Sequence, residues 1–461
     1  MSTAVTSFGP FMSANTVGHL EIDGCDALEL AGEFGTPLWV VSESTIRHNY
    51  RSLLTAFTPE YERTRLVYAS KANPEPAVVR IAWQEGALVD VVTMGHIELA
   101  LAAGVAPAAL VFNGNSKTLE ELRWAAEHGM AYVNVDSLEE LEALASLADE
   151  AHPVRVCVRL ALDERPFSRD DPEFAEHWRG AKFGMDERDA LAAAGLAKDH
   201  PGLELAGLHQ HFGWPVYGTP YEPALDLERH VASLEQVVSF ALQVREAHGV
   251  SPAVLNLGGG YRMPRAHGVG PGGITAAPTA EEYAAAIGGR LRGLDREHGL
   301  GEPELLLEPG GFLVSDAAVL LASVGLRKRR RAGDGVVDWL FLENTSSYHF
   351  VRRLMFDFRH HVVAAGKLLA PAGDNVSLAG PVCTDDNVAL DVSLPELERG
   401  DLVAVLDQGA YCESVTSDYC AVPIPAAVLA CDGRAEVIRR RVSPAELAAQ
   451  FAVPGWLANP S

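Results

Sequence analysis

Four groups of residues in this 461-residue chain have the type and spacing to do chemistry. Lys71 lies in YASKANP, directly after the apolar run RLVYA at 65–69. A lysine at a strand end can enter a partly dry mouth, where desolvation disfavours its charge and frees an amine able to form a Schiff base. The alternative is a solvated lysine. His209 and His211 lie in GLHQHFGW and share one face of a strand, being two residues apart. They could hold a metal, although the segment offers no third ligand; a flat imidazole could stack on a ring, or both could be plain core or surface histidines. Gly258, Gly259 and Gly260 in LNLGGGY would let backbone N–H groups approach a phosphate, or would simply make a tight turn. Glu308 in LLLEPGG could hold the proton of a heterocyclic nitrogen, or serve an ordinary salt bridge.

The elements needed to position these groups are legible around them. Short apolar runs at 65–69, 88–93, 109–113, 131–135, 154–160, 203–211, 253–258 and 304–308 are rich enough in branched residues to be strands buried on both faces. Ala/Leu/Glu-rich stretches separate them. In 118–129, Thr118 and Glu121 have capping-box spacing. In 221–249, Val231, Leu234, Val238 and Leu242 recur at helical spacing as one apolar stripe. Gly104, Gly129 and Gly249 stand where helices should stop. Strands each followed by a helix predict a (β/α)8 barrel over 42–311, with a doubly wound sheet as the alternative. The four groups then fall at the C-terminal ends of strands one, six, seven and eight, the face where such barrels carry their chemistry. The loops 163–179 and 262–280 belong to the same face. After 311 short Val/Leu runs stand between Gly, Pro and Asp (336–342, 402–406, 435–442), and residues 1–41 have the same texture. Residues 1–41 and 312–461 are therefore expected to form a second, mainly β domain of sandwich or barrel type.

Composition narrows the function. The chain has 37 Lys+Arg against 62 Asp+Glu, a formal charge of -25, which argues against nucleic acid and an anionic membrane surface as partners. Cys25, Cys157, Cys383, Cys412, Cys420 and Cys431 include no C-x-x-C pair, so neither a zinc ribbon nor a disulfide scaffold is expected. The first basic residue is Arg47, unlike a signal peptide, and no run of about 18 apolar residues occurs. A cytoplasmic protein is expected. The basic run 327–331 reads as a solvated strand end, and His360-His361 lacks ligand company.

An amine, a flat ring, a phosphate cradle and a carboxylate at one barrel mouth together suit pyridoxal 5'-phosphate (PLP). The chain resembles the fold-type III PLP-dependent decarboxylases that act on diaminopimelate, ornithine and arginine. The resemblance runs in order through YASKAN (68–73), DVVTMGHIELALAAG (90–104), VFNGNSKTLEEL (111–122), VDSLEELE (135–142), KFG (182–184), GLHQHFG (207–213), LNLGGGY (255–261), EPG (308–310), GPVC (380–383) and DQGAY (407–411). It implies that Lys71 carries the cofactor as a Schiff base, His211 stacks on its ring, Gly258–Gly260 meet its phosphate, Glu308 pairs with its ring nitrogen and Tyr411 contacts the phosphate. Asp90 and Arg159 complete the expected cofactor-binding set. Cys383 resembles the cysteine that a neighbouring subunit supplies to deliver a proton, so a homodimer with shared sites is implied. Arg352 falls where the family has a substrate- or phosphate-binding arginine.

The departures from the family concern the substrate. Trp214 stands where a serine is usual, Gly311 replaces the arginine of EPGR, and Thr384 replaces the acid after the cysteine, which normally binds a distal ammonium. Asp385 or Asp386 could substitute if the loop shifts. Asn387 stands where an aspartate is common and His96 where a glutamate is. Thr384, Asp385 and Trp214, with Arg352, are the candidate substrate contacts. The expectation is a decarboxylase for an amino acid other than diaminopimelate, ornithine or lysine, placed in natural-product or siderophore assembly. A racemase-like reaction on the same fold and an inactive regulatory homologue are the alternatives.

Overall fold

The computed structural model describes residues 7–165, 172–212, 223–264, 276–333, 335–352, 354 and 358–458. They form two compact units, one of residues 46–264 and 276–315, the other of residues 7–45 and 316–458.

The first unit is a closed, all-parallel barrel of eight strands: β1 (Thr64–Ala69), β2 (Leu88–Val91), β3 (Leu110–Phe112), β4 (Tyr132–Val135), β5 (Val154–Arg159), β6 (Leu203–His209), β7 (Val254–Asn256) and β8 (Glu304–Leu307). β8 pairs with β1 (Leu307 beside Leu66) and closes the ring. Val67, Leu88, Val111, Cys157, Ala206, Val254 and Leu306 pack together as one buried cluster contributed by seven of the strands, with Ala131 and Tyr132 from the β4 segment. That apolar plug forces polar groups up to the strand ends. The helix Leu119–His128 begins with the capping box of Thr118 and Glu121 and stops at the left-handed Gly129. The long helix Pro223–His248 buries His230, Ser233, Leu234, Val237, Ala241 and Val244. Of the line expected from sequence, Leu234 and Val238 are buried as well, while Val231 and Leu242 are only partly covered, so the buried face is centred to one side of that line. Val237 and Val244 were equally apolar candidates, and periodicity alone did not choose between the two lines. After β8 the barrel has only the four-residue helix Gly311–Val314.

The second unit is a mainly β domain. Its long strand Ala318–Ala332 pairs with Gly335–Leu342, Leu402–Val405 and the N-terminal Leu38–Ser42, which also lies parallel to Ala426–Cys431. Side chains alternate across this sheet. Leu38, Val40, Val319 and Leu321 join one buried cluster; Trp39, Leu320, Ala322 and Val405 join another on the opposite face. The basic run ends the long strand, where Arg327 and Arg329 both reach Asp338. No helix among the described residues is long and apolar enough to cross a membrane.

Candidate active site

Seven of the eight barrel strands end in, or just before, a polar residue, and in β2 the polar residue is Asp90, one before its end. Lys71 sits in the 3₁₀ turn Ser70–Ala72 that follows β1. Its Nζ donates to Oδ2 of Asp90 at 2.6 Å, while Ser70 Oγ donates to the carbonyl of Asp90. Asp90 is fully buried in β2, and its Oδ1 has no hydrogen-bond partner among the described residues. Lys71 therefore lies tethered beside a carboxylate at the edge of solvent.

Glu308, the residue after β8, is 2% exposed. Its Oε1 accepts hydrogen bonds from Asn113 Nδ2 (2.8 Å), just past β3, and from Asn256 Nδ2 (2.7 Å), the last residue of β7. Among the described residues no hydrogen bond reaches Oε2. Burial pushes its carboxyl pKa up, the Asp90 charge adds to the rise, and Lys71 and the two amides oppose it. A carboxylate so desolvated gains most from a cationic N–H partner.

His211 lies two residues past β6. The Gly259 N–H donates to its Nδ1 at 2.8 Å, so the neutral ring carries its proton on Nε2. Burial, followed by the charges of Lys71 and Arg159, holds this imidazole neutral well below its ordinary titration range. A neutral, oriented, half-covered ring is suited to lie against another ring.

The glycine loop is built for close approach. A Cβ on Gly258 would lie 2.5 Å from His211 Nδ1, one on Gly259 2.7 Å from the Glu308 carbonyl oxygen, and one on Gly260 2.8 Å from the Phe212 carbonyl oxygen. Gly258 and Gly260 also have φ of +64° and +108°. Two of the three N–H groups are already engaged, Gly258 with Asn256 Oδ1 and Gly259 with His211 Nδ1. The loop thus offers shape, and of its three N–H groups only that of Gly260 has no acceptor among the described residues.

Behind Glu308 runs a polar network of which Arg159 alone is among the sequence-based candidates. Asn134 Nδ2 donates to Asn113 Oδ1. The carbonyl of Asn134 accepts from Lys117, whose ammonium is wholly buried and also reaches Glu140 Oε1 at 2.7 Å. Arg159, at the end of β5, donates to Asp136 Oδ1 at 2.9 Å with its guanidinium over the Phe183 ring. One signal could have exposed the asparagines: Asn113, Asn134 and Asn256 each interrupt or end a buried apolar run (VFN, YVNV, VLN).

The remaining candidates belong to the second unit. Cys383, Thr384 and Asp385 are all exposed on one loop. Asp386 is buried: its Oδ1 accepts from Ser346 Oγ, Ser347 N and Ser347 Oγ, and its Oδ2 from Val382 N. Of the two aspartates considered as stand-ins for the missing acid, Asp386 is thus consumed in holding the loop, because its short side chain points into the domain. Arg352 is buried with its guanidinium 3.9 Å from the Phe358 ring centre. Tyr411 is partly exposed and takes a left-handed φ of +55°. Trp214 lies outside the described residues.

The residues fit PLP: a tethered amine, a neutral ring, a glycine cradle in which a Cβ would clash, and a buried acid with one oxygen unengaged. This combination on an eight-stranded barrel defines the class of PLP-binding barrel enzymes. Residues 43–315 match the family described as pyridoxal-dependent decarboxylase, pyridoxal binding domain. The chain is 35% identical to the diaminopimelate decarboxylase of Methanothermobacter thermautotrophicus over 97% of its own length and 99% of the relative's. It is 31% identical to that of Bacillus subtilis, with 93% and 94% covered. The crystal structure of diaminopimelate decarboxylase from M. jannaschii in complex with L-lysine superposes with a TM-score of 0.86 at 30% identity, covering 98% of this chain and 99% of that one. The chain belongs to the pyridoxal-dependent decarboxylase family; it is a PLP-dependent carboxy-lyase acting on an amino acid.

Proposed function

We propose that this decarboxylase acts on an amino acid, or amino-acid derivative, whose side chain does not end in the ammonium group common to diaminopimelate, lysine and ornithine, and that it serves specialised biosynthesis. The observation that carries this reading is Thr384 beside exposed Cys383. Thr384 has no charge with which to pair an ammonium, and Asp386 is held inside its own loop. PLP, when bound, supplies an aldehyde that joins amines and a protonated ring that takes up the electrons released as CO₂ leaves.

The chain's own residues do the rest. Lys71, held by Asp90, gives up its place to the substrate amine and later recaptures the cofactor. Glu308 keeps the ring nitrogen protonated, and His211 lies against the ring, neutral. Gly258–Gly260 and Tyr411 receive the phosphate, and burial, with the charges of Lys71 and Arg159, keeps His211 uncharged. Cys383, contributed by a partner in a cytoplasmic homodimer, returns a proton to the carbon that lost CO₂. Arg352, Thr384, Asp385 and Trp214 contact the substrate.

A second reading, turnover of meso-diaminopimelate, is favoured by the names of the relatives and by exposed Asp385, one residue beyond the usual acid. CO₂ release over a panel of meso-diaminopimelate, lysine, ornithine, arginine and amino acids with acylated or acidic side chains separates the two. Efficient turnover of meso-diaminopimelate selects the second reading. Borohydride reduction followed by peptide mapping should place a pyridoxyl adduct on Lys71; an unmodified Lys71 in cofactor-saturated protein would overturn the site assignment.

A further inference from the structure

His209 closes β6 at 1% exposure, and neither of its ring nitrogens has a hydrogen-bond partner among the described residues. Burying two unpaired polar atoms is costly, and phenylalanine would fill such a space without that cost. The ring has a direction. Nε2 lies 3.9 Å from Oε1 of Glu308, the same oxygen that receives the amides of Asn113 and Asn256. That distance is too long for a hydrogen bond but short enough for a dipole to act in a dry site.

Burial first, then the charges of Arg159, His211, Lys71 and Lys117, hold His209 neutral, so the ring has a single N–H. The facing carboxylate favours that proton on Nε2. Glu308 in turn feels Asp90 and Lys71, and lies close enough to Cys157 and Tyr261 to push both of those groups up. Apart from Lys71 and the two amides, nothing among these groups stabilises the carboxylate from within the barrel.

We propose that His209 is a positioning residue whose Nε2–H, together with the amides of Asn113 and Asn256, keeps Glu308 ionised and leaves Oε2 for the ring nitrogen of the cofactor. The proposal rests on Glu308 being the acid partner of that nitrogen.

The test uses holoenzyme carrying His209→Phe or His209→Gln. Phenylalanine keeps a planar ring and removes the donor; glutamine restores an N–H. Without the donor the Glu308 carboxylate is less stabilised and ionises only at higher pH. In His209→Phe the acid limb of the kcat profile and the pH midpoint of the visible cofactor band should both move up by about one unit. Near neutral pH, kcat should fall about tenfold, the fold-change that matches a one-unit rise of the Glu308 carboxyl, with KM changed less than about threefold. His209→Gln should recover most of both. Loaded His209→Phe with wild-type midpoint and kcat overturns the proposal, as does equal loss in the two variants, which is the signature of packing alone. Should neither variant fold, ¹⁵N imidazole spectra of the wild-type holoenzyme decide: a protonated Nε2 supports the proposal and a protonated Nδ1 overturns it. Failure of the underlying cofactor reading looks different, since wild-type protein would then show neither a visible band nor a Lys71 adduct.

Discussion

Asn256→Leu removes two hydrogen bonds from the centre of the site at nearly constant volume. Asn256 is fully buried, so water cannot take over either bond. Its Nδ2 donates to Glu308 Oε1 at 2.7 Å, and its Oδ1 accepts from Gly258 N at 2.9 Å. A hydrogen bond to a charged group contributes about 1.5–3 kcal/mol, and a neutral one about 0.5–1.5 kcal/mol. Because Glu308 keeps the Asn113 amide, the combined loss should be about 2–4 kcal/mol, not the full sum of the upper values. The Glu308 carboxyl, already pushed up by burial, should rise further, and Gly258 loses the acceptor that fixes its left-handed turn. Urea unfolding of the apoprotein reads the stability term, and titration of the visible band with added cofactor reads the affinity. The structure also predicts coupling. Asn113 and Asn256 share one oxygen, so each amide matters more once the other is gone. Asn113→Leu combined with Asn256→Leu should therefore differ from additivity by about 0.5 kcal/mol or more. An Asn256→Leu protein within about 0.5 kcal/mol of wild type, with an additive cycle, would refute the view that these amides hold the acid in place.

Three further outcomes follow from other parts of the molecule. Asp386→Ala leaves Ser346, Ser347 and Val382 without their shared acceptor and should cost about 2–4 kcal/mol while speeding alkylation of Cys383; Asp385→Ala, on the exposed side of the same loop, should change stability by less than about 0.5 kcal/mol, and equal urea midpoints for the two would contradict the assignment. Lys117→Met strands the Glu140 carboxylate in the interior and should cost about 3–5 kcal/mol, with Glu140→Gln added to it recovering part of the loss in chemical denaturation. Glu85 is held by Arg47 and Arg51, and although burial opposes it, the two guanidinium partners bring its pKa below the ordinary 4.5. The Glu85 contribution is therefore fully present above about pH 4.5 and is lost as pH falls through the lower folded value, so Glu85→Gln should flatten the acid side of the stability curve and leave its slope near pH 7 unchanged.

The barrel was legible because its strands are continuous apolar runs and its helices carry local stop signals. The Thr118–Glu121 box and Gly129 act within one turn of chain, so the residues alone determine them. The covered face of the helix Pro223–His248 was not legible in the same way, because Val231 and Val237 are equally apolar and only the neighbouring elements choose between them. The same contrast holds within the site. Lys71, His211, the glycines and Glu308 stand out by residue type. Asn113, Asn134 and Asn256 do not, since an asparagine at or near a strand end reads as a turn; the meeting of Asn113 and Asn256 on one carboxylate, with Asn134 behind Asn113, depends on the closure of β3, β4 and β7 with β8. Asp385 and Asp386 stayed open as alternatives for a related reason: sequence gives their order in the loop but not which side chain turns inward.

The placement of Glu308 has a consequence for how the site can work. On the proposed reading, an acid that stays charged inside a barrel cannot rely on water, and a fixed cation beside it would compete with the ring nitrogen. Neutral donors avoid that competition. Asn113 and Asn256 reduce the cost of the charge without neutralising it, and both bind the same oxygen, so the other stays available. The fixed cations are spent elsewhere. Lys117 is tied to Glu140, Arg159 to Asp136, and Lys71 to Asp90, each at 2.9 Å or less. The site thus separates two tasks that sequence reads as one cluster of charges. Ion pairs fix the strand ends, and amides leave one oxygen of Glu308 unengaged, as the proposed pairing with a cationic ring nitrogen requires.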